Sequence, residues 1–192
     1  MRIIGGSLRG RAFDAPPGQH TRPTADRAKV ALFNILAGAV RGARVLDGFA
    51  GSGALSFESL SRGVTHCLLF ERDSAAARLL RRNAEALGLT NAVDVRQEDF
   101  LAARWLAKES PFDLVFLDPP YAAGLLLPAL QWVGSGLVAA DGIVVAEHSS
   151  RDALPDAVGD LVATDHRQYG AVGFTFYRKR GSDGDLDIPG QL

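Results

Sequence analysis

Cysteine is almost missing from this chain of 192 residues: Cys67 is the only one, so no internal disulfide can form. That scarcity fits a reducing compartment, and a cytoplasmic location is expected. Cys67 itself is expected to be a small core residue. Histidine is scarce too. His20, His66, His148 and His166 are scattered, with no Cys/His spacing suited to zinc, so no metal is expected and each reads as a surface or capping residue. Long apolar runs are also missing, since the most apolar windows are broken by Gly124 and Pro128 and no basic start leads into an apolar stretch. Membrane spanning and secretion are therefore not expected. Two motifs are absent as well. The position three after Gly53 is Ser56, so there is no G-x-G-x-x-G, and "AGSGA" does not match the G-x-S-x-G elbow that would make Ser52 a hydrolase nucleophile.

What is present is ordinary for one globular domain: 47% hydrophobic and 22% charged residues, in a chain long enough to bury about 70% of its unfolded surface. Arginine outnumbers lysine 18 to 3; a GC-rich gene alone accounts for such a bias, although arginine also suits bidentate phosphate contacts. The net charge of −1 hides an asymmetry. Residues 1–44 hold eight basic and two acidic side chains, a net +6, whereas residues 45–180 sum to −4 and residues 181–192 to −3. A basic amino-terminal segment on a mildly acidic body suggests a polyanionic partner approached from one side.

Residues 1–13, "MRIIGGSLRGRAF", read as a basic hairpin of two short strands around a Gly/Ser turn. A Pro-rich loop follows, and from Ala25 a helix is expected, with Ala28, Leu32, Ile35, Leu36 and Ala39 at helical spacing and Gly42 past its end. Strands at 45–47, 67–71, 92–96, 114–118 and 142–147 then alternate with helices at 54–61, 75–87 and 125–133. That alternation predicts a mostly parallel sheet with helices on both faces. The stretches 161–169 and 173–179 have no helix between them and read as an antiparallel hairpin closing the sheet edge. Residues 181–192 are Gly/Asp-rich and expected to be disordered.

Four strand ends carry chemistry. "VLDGFAGSGALSFE" puts Asp47 at the end of the first strand, followed by Gly51, Ser52 and Gly53, glycines that let backbone approach a ligand. An acid there repels phosphate and attracts an ammonium or sulfonium. Glu71, ending the next strand, is placed to accept both hydroxyls of a ribose, or to cap the helix that begins near Ser74. Asp99, after the third strand, is placed to accept from an adenine amine or to start a turn. Asn83 sits on the apolar face of its helix and needs a hydrogen-bond partner, most simply a structural one.

The most specific signal is "VFLDPPYAAG", an apolar strand running into Asp118, Pro119, Pro120 and Tyr121. Prolines stop the strand and leave its end facing the edge where α/β sheets bind ligands. An exocyclic amine on a nucleobase is a poor nucleophile because its lone pair is spread into the ring. If Asp118 and the Pro119 carbonyl each accept one N–H, the nitrogen can turn tetrahedral with its lone pair aimed outward, while Tyr121 stacks on the flipped base. Positive charge develops on the amine as it attacks a sulfonium methyl, so a fixed carboxylate favours the transition state.

"RPTADRAKVALFNIL", "LDGFAGSGALSFESLSRG", "FERD", "DLVFLDPPY" and "RQYG", in that order and at these distances, closely resemble the bacterial RsmD family, which methylates the N2 amine of a guanine in small-subunit (16S) ribosomal RNA. The resemblance spans residues 1 to about 180. It implies a Rossmann-like class I methyltransferase with a mostly parallel seven-stranded sheet, an antiparallel C-terminal hairpin and an N-terminal β-hairpin and helix. It divides residues 1–180 into an RNA-facing extension at 1–42 and a methyltransferase domain at 43–180; the acidic tail at 181–192 has no counterpart in the resemblance. It implies S-adenosylmethionine held by Asp47, Gly51, Ser52, Gly53, Glu71, Arg72, Asp99 and Phe100, the amine at Asp118 to Tyr121, and RNA met by Arg9, Arg11, Arg22, Thr24 and Arg27. The partner implied is the small subunit or an assembly intermediate, with a monomeric enzyme. Two residues depart from the family pattern: Gly48 replaces a larger apolar residue, which is expected to loosen the strand end, and Val30 replaces a Glu, which removes a polar contact.

Other readings are weaker. A DNA adenine-N6 methyltransferase would use the same amine chemistry, but this length leaves little room for a target-recognition domain. A nucleotide-dependent oxidoreductase explains the glycine turn but neither DPPY nor Asp47, and a non-catalytic RNA-binding module explains only the basic segment.

Overall fold

A computed structural model describes residues 1–16, 23–120 and 124–181. Its elements in chain order are α1 (Pro23–Ile35), α2 (Ala37–Val40), β1 (Arg44–Asp47), α3 (Ala54–Ser61), β2 (His66–Phe70), α4 (Ser74–Leu87), β3 (Val93–Arg96), β4 (Phe112–Leu117), α5 (Leu126–Gly134), β5 (Val138–Ser149), β6 (Ala157–Val158), β7 (Leu161–Tyr169) and β8 (Val172–Lys179). One sheet of eight strands runs in the order β3-β2-β1-β4-β5-β8-β7-β6. The first five strands in that order are parallel, and β8 pairs antiparallel with β5 and with β7.

The sheet has one strand more than the seven expected. The addition is β6, whose two residues pair antiparallel with β7 and are too few to show any alternation in sequence. The hairpin of β7 and β8 therefore lies inside the edge, which β6 occupies.

Alternate strand residues face two apolar layers, because successive side chains point to opposite faces. Val45, Leu114, Phe116 and Val145 pack with α1, α3 and α4, while Leu46, Val115, Leu117 and Ala146 pack with α5. Cys67 is fully buried in the first layer, as expected.

The amino-terminal arm folds back on itself as the expected hairpin, in minimal form: an antiparallel bridge joins Arg2 to Ala12, and Phe13 N donates to Met1 O at 3.1 Å, Ile3 N to Arg11 O at 3.0 Å and Gly10 N to Ile3 O at 2.9 Å, while the turn between them bonds to α3. Glu58, only 1% exposed, accepts from the Ile4 and Gly5 amides at 2.8 Å each, and Ser61 Oγ accepts from Leu8 N at 2.9 Å. Ile3 and Phe13 then enter the core, with Phe13 edge-on to Phe57 at 5.3 Å. Asn83 has the structural role expected: its Oδ1 accepts from Asp14 N at 3.1 Å and its Nδ2 donates to Asp14 O at 2.9 Å.

Helix α1 stops at Ile35, and a separate turn, α2, continues the apolar face, so Ala39 lies outside the first helix. Helix α4 is bounded by local chemistry: Asp73 caps it by accepting from the Ala75 and Ala76 amides, and Gly88 ends it with φ of 75°.

Candidate active site

The sheet order makes β1 and β4 neighbours while the chain runs outward from β1 to β3 on one side and from β4 to β5 on the other. A crevice opens beyond the strand ends at such a reversal. Two cavities meet there. The larger, about 410 Å³, is walled by Gly48, Phe49 and Gly51 after β1, by Phe70, Glu71 and Arg72 at the end of β2, by Glu98, Asp99 and Phe100 after β3, and by Asp118, Pro119, Pro120 and Leu125. The smaller, about 250 Å³, lies on the α1 side and includes Asp26, Lys29, Asp47, Ser52, Asp118 and Glu147. Phe49, Gly51 and Asp118 stand in both walls.

Each carboxylate is held differently. Asp47 is 2% exposed; its Oδ2 accepts from Ser56 Oγ at 2.7 Å and its Oδ1 from Phe49 N at 3.4 Å. Burial pushes its pKa up to about 6, against the lowering effect of these two bonds and with a further push from the Glu71 charge. Asp118, half-buried one residue beyond β4, is raised well above the ordinary carboxylate range, first by burial, then by the charges of Glu147 and Asp47. Glu71 ties two strand ends together by accepting from Gly51 N at 3.1 Å and Asp73 N at 2.7 Å. The cap of α4 is Asp73, not Glu71. Asp99 accepts from Leu101 N at 2.9 Å, which starts a short 3₁₀ turn. Each of these oxygens keeps a second lone pair for a ligand.

Lys29 is the cationic counterpart. Its side chain is 8% exposed with Nζ 3.9 Å from Asp26, and burial lowers its pKa against the pull of Glu58 and Asp26. A cluster of basic residues at the start of α1 gains nothing from the helix dipole; for Lys29 the explanation is a place in the cavity wall.

The residues singled out in sequence fall into four groups. Gly51, Glu71, Arg72, Asp99, Phe100, Asp118, Pro119 and Pro120 share the larger cavity, and Asp47 and Ser52 face the smaller one. Gly53 lines neither. Its φ is +79° and an added Cβ would lie 2.5 Å from Phe57 and 2.6 Å from Leu80, so it is required for helix packing. Arg9, Arg11 and Arg27 are exposed and line neither cavity; Arg11 Nη2 donates to Ala86 O at 2.8 Å. Tyr121, Arg22 and His20 lie outside the described residues, as does the side chain of Thr24.

Gly48 does not loosen the strand end. Its amide donates to Phe116 O at 3.0 Å, and a Cβ there would press on Phe100 at 3.0 Å and Leu117 at 3.1 Å. His148 is buried rather than a surface residue: Nε2 lies 3.0 Å from Thr175 Oγ1, which also meets His166 Nδ1 at 3.1 Å.

Lys29, Phe49 and Glu147 in the walls carry no role in the sequence reading. For Glu147 a signal exists: it ends "IVVAE", another acid at the carboxyl end of an apolar strand. Among the described residues no group of His, Cys, Asp and Glu could hold a metal ion, and no helix is long and apolar enough to cross a membrane.

The family model "Conserved hypothetical protein 95" matches residues 1–178. The chain is 41% identical over 184 residues to YlbH of Bacillus subtilis (strain 168), assigned as an rRNA methyltransferase, covering 94% of this chain and 100% of that one. It is 35% identical over 190 residues to ribosomal RNA small subunit methyltransferase D of Escherichia coli (strain K12), covering 97% and 93%. A solved structure of yhhF from Escherichia coli, described as a methyltransferase, superposes with a TM-score of 0.83 at 34% identity, covering 94% of this chain and 98% of that one. The chain therefore belongs to the RsmD family, that of ribosomal RNA small subunit methyltransferase D.

Proposed function

We propose that the protein transfers a methyl group from S-adenosylmethionine to the exocyclic N2 amine of a guanine in small-subunit (16S) ribosomal RNA, in the subunit or an assembly intermediate. The observation that carries this reading is Asp118, followed by two prolines at the switch point of the sheet and standing in both cavity walls. Family membership supports the rRNA substrate. Such a substrate puts the protein in the cytoplasm.

The residues fit the donor. Its nucleoside end suits the larger cavity, where Phe70, Phe100 and Leu125 offer apolar walls, Glu71 a carboxylate for ribose hydroxyls and Asp99 an acceptor for an adenine amine. Its ammonium suits the Asp47 side, across Gly51. When bound, S-adenosylmethionine supplies a methyl group on a sulfonium, the electrophile of the reaction.

The protein's own work is on the amine. Asp118 and the Pro119 carbonyl accept its two N–H groups and aim its lone pair away from the ring. Neither proline offers a competing N–H. As nitrogen gains positive charge, the ionised Asp118 stabilises it in a water-poor site, and its raised pKa makes it a fit acceptor for the proton that leaves once the N–C bond forms.

The test is methyl transfer from labelled S-adenosylmethionine to unmodified small subunits, free 16S RNA and duplex DNA, with the product nucleoside identified. N2-methylguanosine from the ribosomal substrate is the expected product, lost in Asp118→Ala while donor binding persists. Label in DNA as N6-methyladenine, or unchanged turnover in the variant, would overturn the reading.

A further inference from the structure

Glu147 belongs to neither the glycine-rich turn nor the DPPY segment, yet it stands in the wall of two cavities. One holds Asp47, Lys29 and Asp118; the other, about 220 Å³, runs behind Pro119, Pro120 and His148. Sheet register puts it there. Leu117 pairs with Ala146 across the parallel strands β4 and β5, so the next residues, Asp118 just past the end of β4 and Glu147 still within β5, stand side by side, with strands about 4.8 Å apart. Both sit one position after residues of the α5-side layer, Leu117 and Ala146, so both belong to the α1 side. On its other flank Glu147 pairs with Phe174 of β8, which lines the same cavity.

We propose that Glu147 is the residue that selects guanine, its carboxylate accepting the N1–H of the target base while Asp118 and the Pro119 carbonyl hold the N2 amine. This rests on the guanine-N2 reading above. The Watson–Crick edge of guanine presents two adjacent donors, N1–H and the N2 amine, whereas adenine presents an amine beside a bare N1 lone pair. Two adjoining carboxylates complement the first and oppose the second. A flipped base is read along that edge, and a site built to accept a hydrogen bond rejects an analogue lacking the donor because its own polar group is left unmatched.

Charge at the pair is shared with its surroundings. Among the described residues the groups facing it are Asp47 at the end of β1, Asp26 and Lys29 on α1, the Met1 end of the arm, and His148 and Asp152 behind. The Glu147 charge is the largest electrostatic contribution to the raised pKa of Asp118, after burial. Removing it eases ionisation of Asp118, so the acid limb of kcat/KM moves to lower pH in Glu147→Gln.

The experiment begins by mapping the methylated guanine in small subunits treated with the wild-type enzyme. Subunit RNA is then ligated with 2-aminopurine at that position, a base that keeps the N2 amine and lacks N1–H. The wild type should lose about 10- to 100-fold in kcat/KM on the 2-aminopurine substrate, the range expected for one hydrogen bond to a charged group. Glu147→Gln, whose amide can donate to a bare N1, should narrow that ratio to a few-fold with an unchanged Kd for S-adenosylmethionine. Equal use of both substrates by the wild type, or a Gln variant that loses both in equal proportion, would overturn the assignment of Glu147 alone. Failure of the wild type to methylate any guanine would overturn the parent reading with it, a distinguishable result.

Discussion

Asp47 shows what one residue costs the fold. Its carboxyl has an ordinary value of 3.8 and is raised to about 6 in the folded protein, mainly by burial. A raised acid contributes nothing below the unfolded value, destabilises increasingly as pH rises from 3.8 to 6, and imposes its full penalty above 6. That penalty is on the order of 3 kcal/mol. Asp47→Asn should therefore stabilise the protein at pH 8 and leave it unchanged near pH 3.5, because Ser56 can still donate to the amide oxygen. Urea denaturation at the two pH values checks this, and equal shifts at both would mean that ionisation of Asp47 is not the cause. In the proposed reaction the partner of this buried acid is the donor's ammonium.

Elements are held in place here by side chains that reach across to backbone. Glu58 on α3 satisfies two amides of the arm and also accepts from Arg62 Nε at 2.8 Å. Glu58→Ala leaves these donors without it, so the variant should lose about 3–5 kcal/mol, and the Ile4 and Gly5 amides should lose their hydrogen-exchange protection. Protection equal to wild type would show that the arm docks without Glu58. The turn into α3 is equally constrained, since Gly53 combines a positive φ with no room for a Cβ. Gly53→Ala should cost about 2–4 kcal/mol from the left-handed backbone and overpacking together, read as a lower denaturation midpoint. An unchanged midpoint would mean that Phe57 and Leu80 yield freely.

At the scale of the whole molecule the question is how a protein of net charge −1 meets RNA. The excess of basic residues lies in the first 44 positions; Arg2, Arg9 and Arg11 belong to the arm, which packs on α3 and α4 beside the crevice, and Arg27 and Lys29 to α1. Arg9 and Arg27 are exposed, whereas Arg11 also fastens the arm to the end of α4. Replacing Arg9 and Arg27 with Ala should lower the slope of log affinity for small-subunit RNA against log salt by roughly 0.7–0.9 for each phosphate that is no longer neutralised. A slope equal to wild type would put the RNA on another face. Arg11→Ala should lower stability as well as affinity, which separates fastening the arm from binding the RNA.

Local patterning was sufficient for much of this protein. The alternation of apolar strands with helical spacing, the prolines after Leu117 and the acids at 47, 71, 99 and 118 are features of short windows. They determined a parallel sheet with ligand chemistry at its carboxyl edge. Partnership between distant segments was not legible there, because register and strand order depend on contacts far apart along the chain. Only the tertiary structure brought Glu147 beside Asp118, buried Lys29 in the cavity wall, separated Asp47 and Ser52 from Glu71 and Asp99 across two cavities, and docked the arm on Glu58. The physical reason is common to all four: a side chain's direction follows from its own strand or helix, but what it faces is decided by how the layers pack.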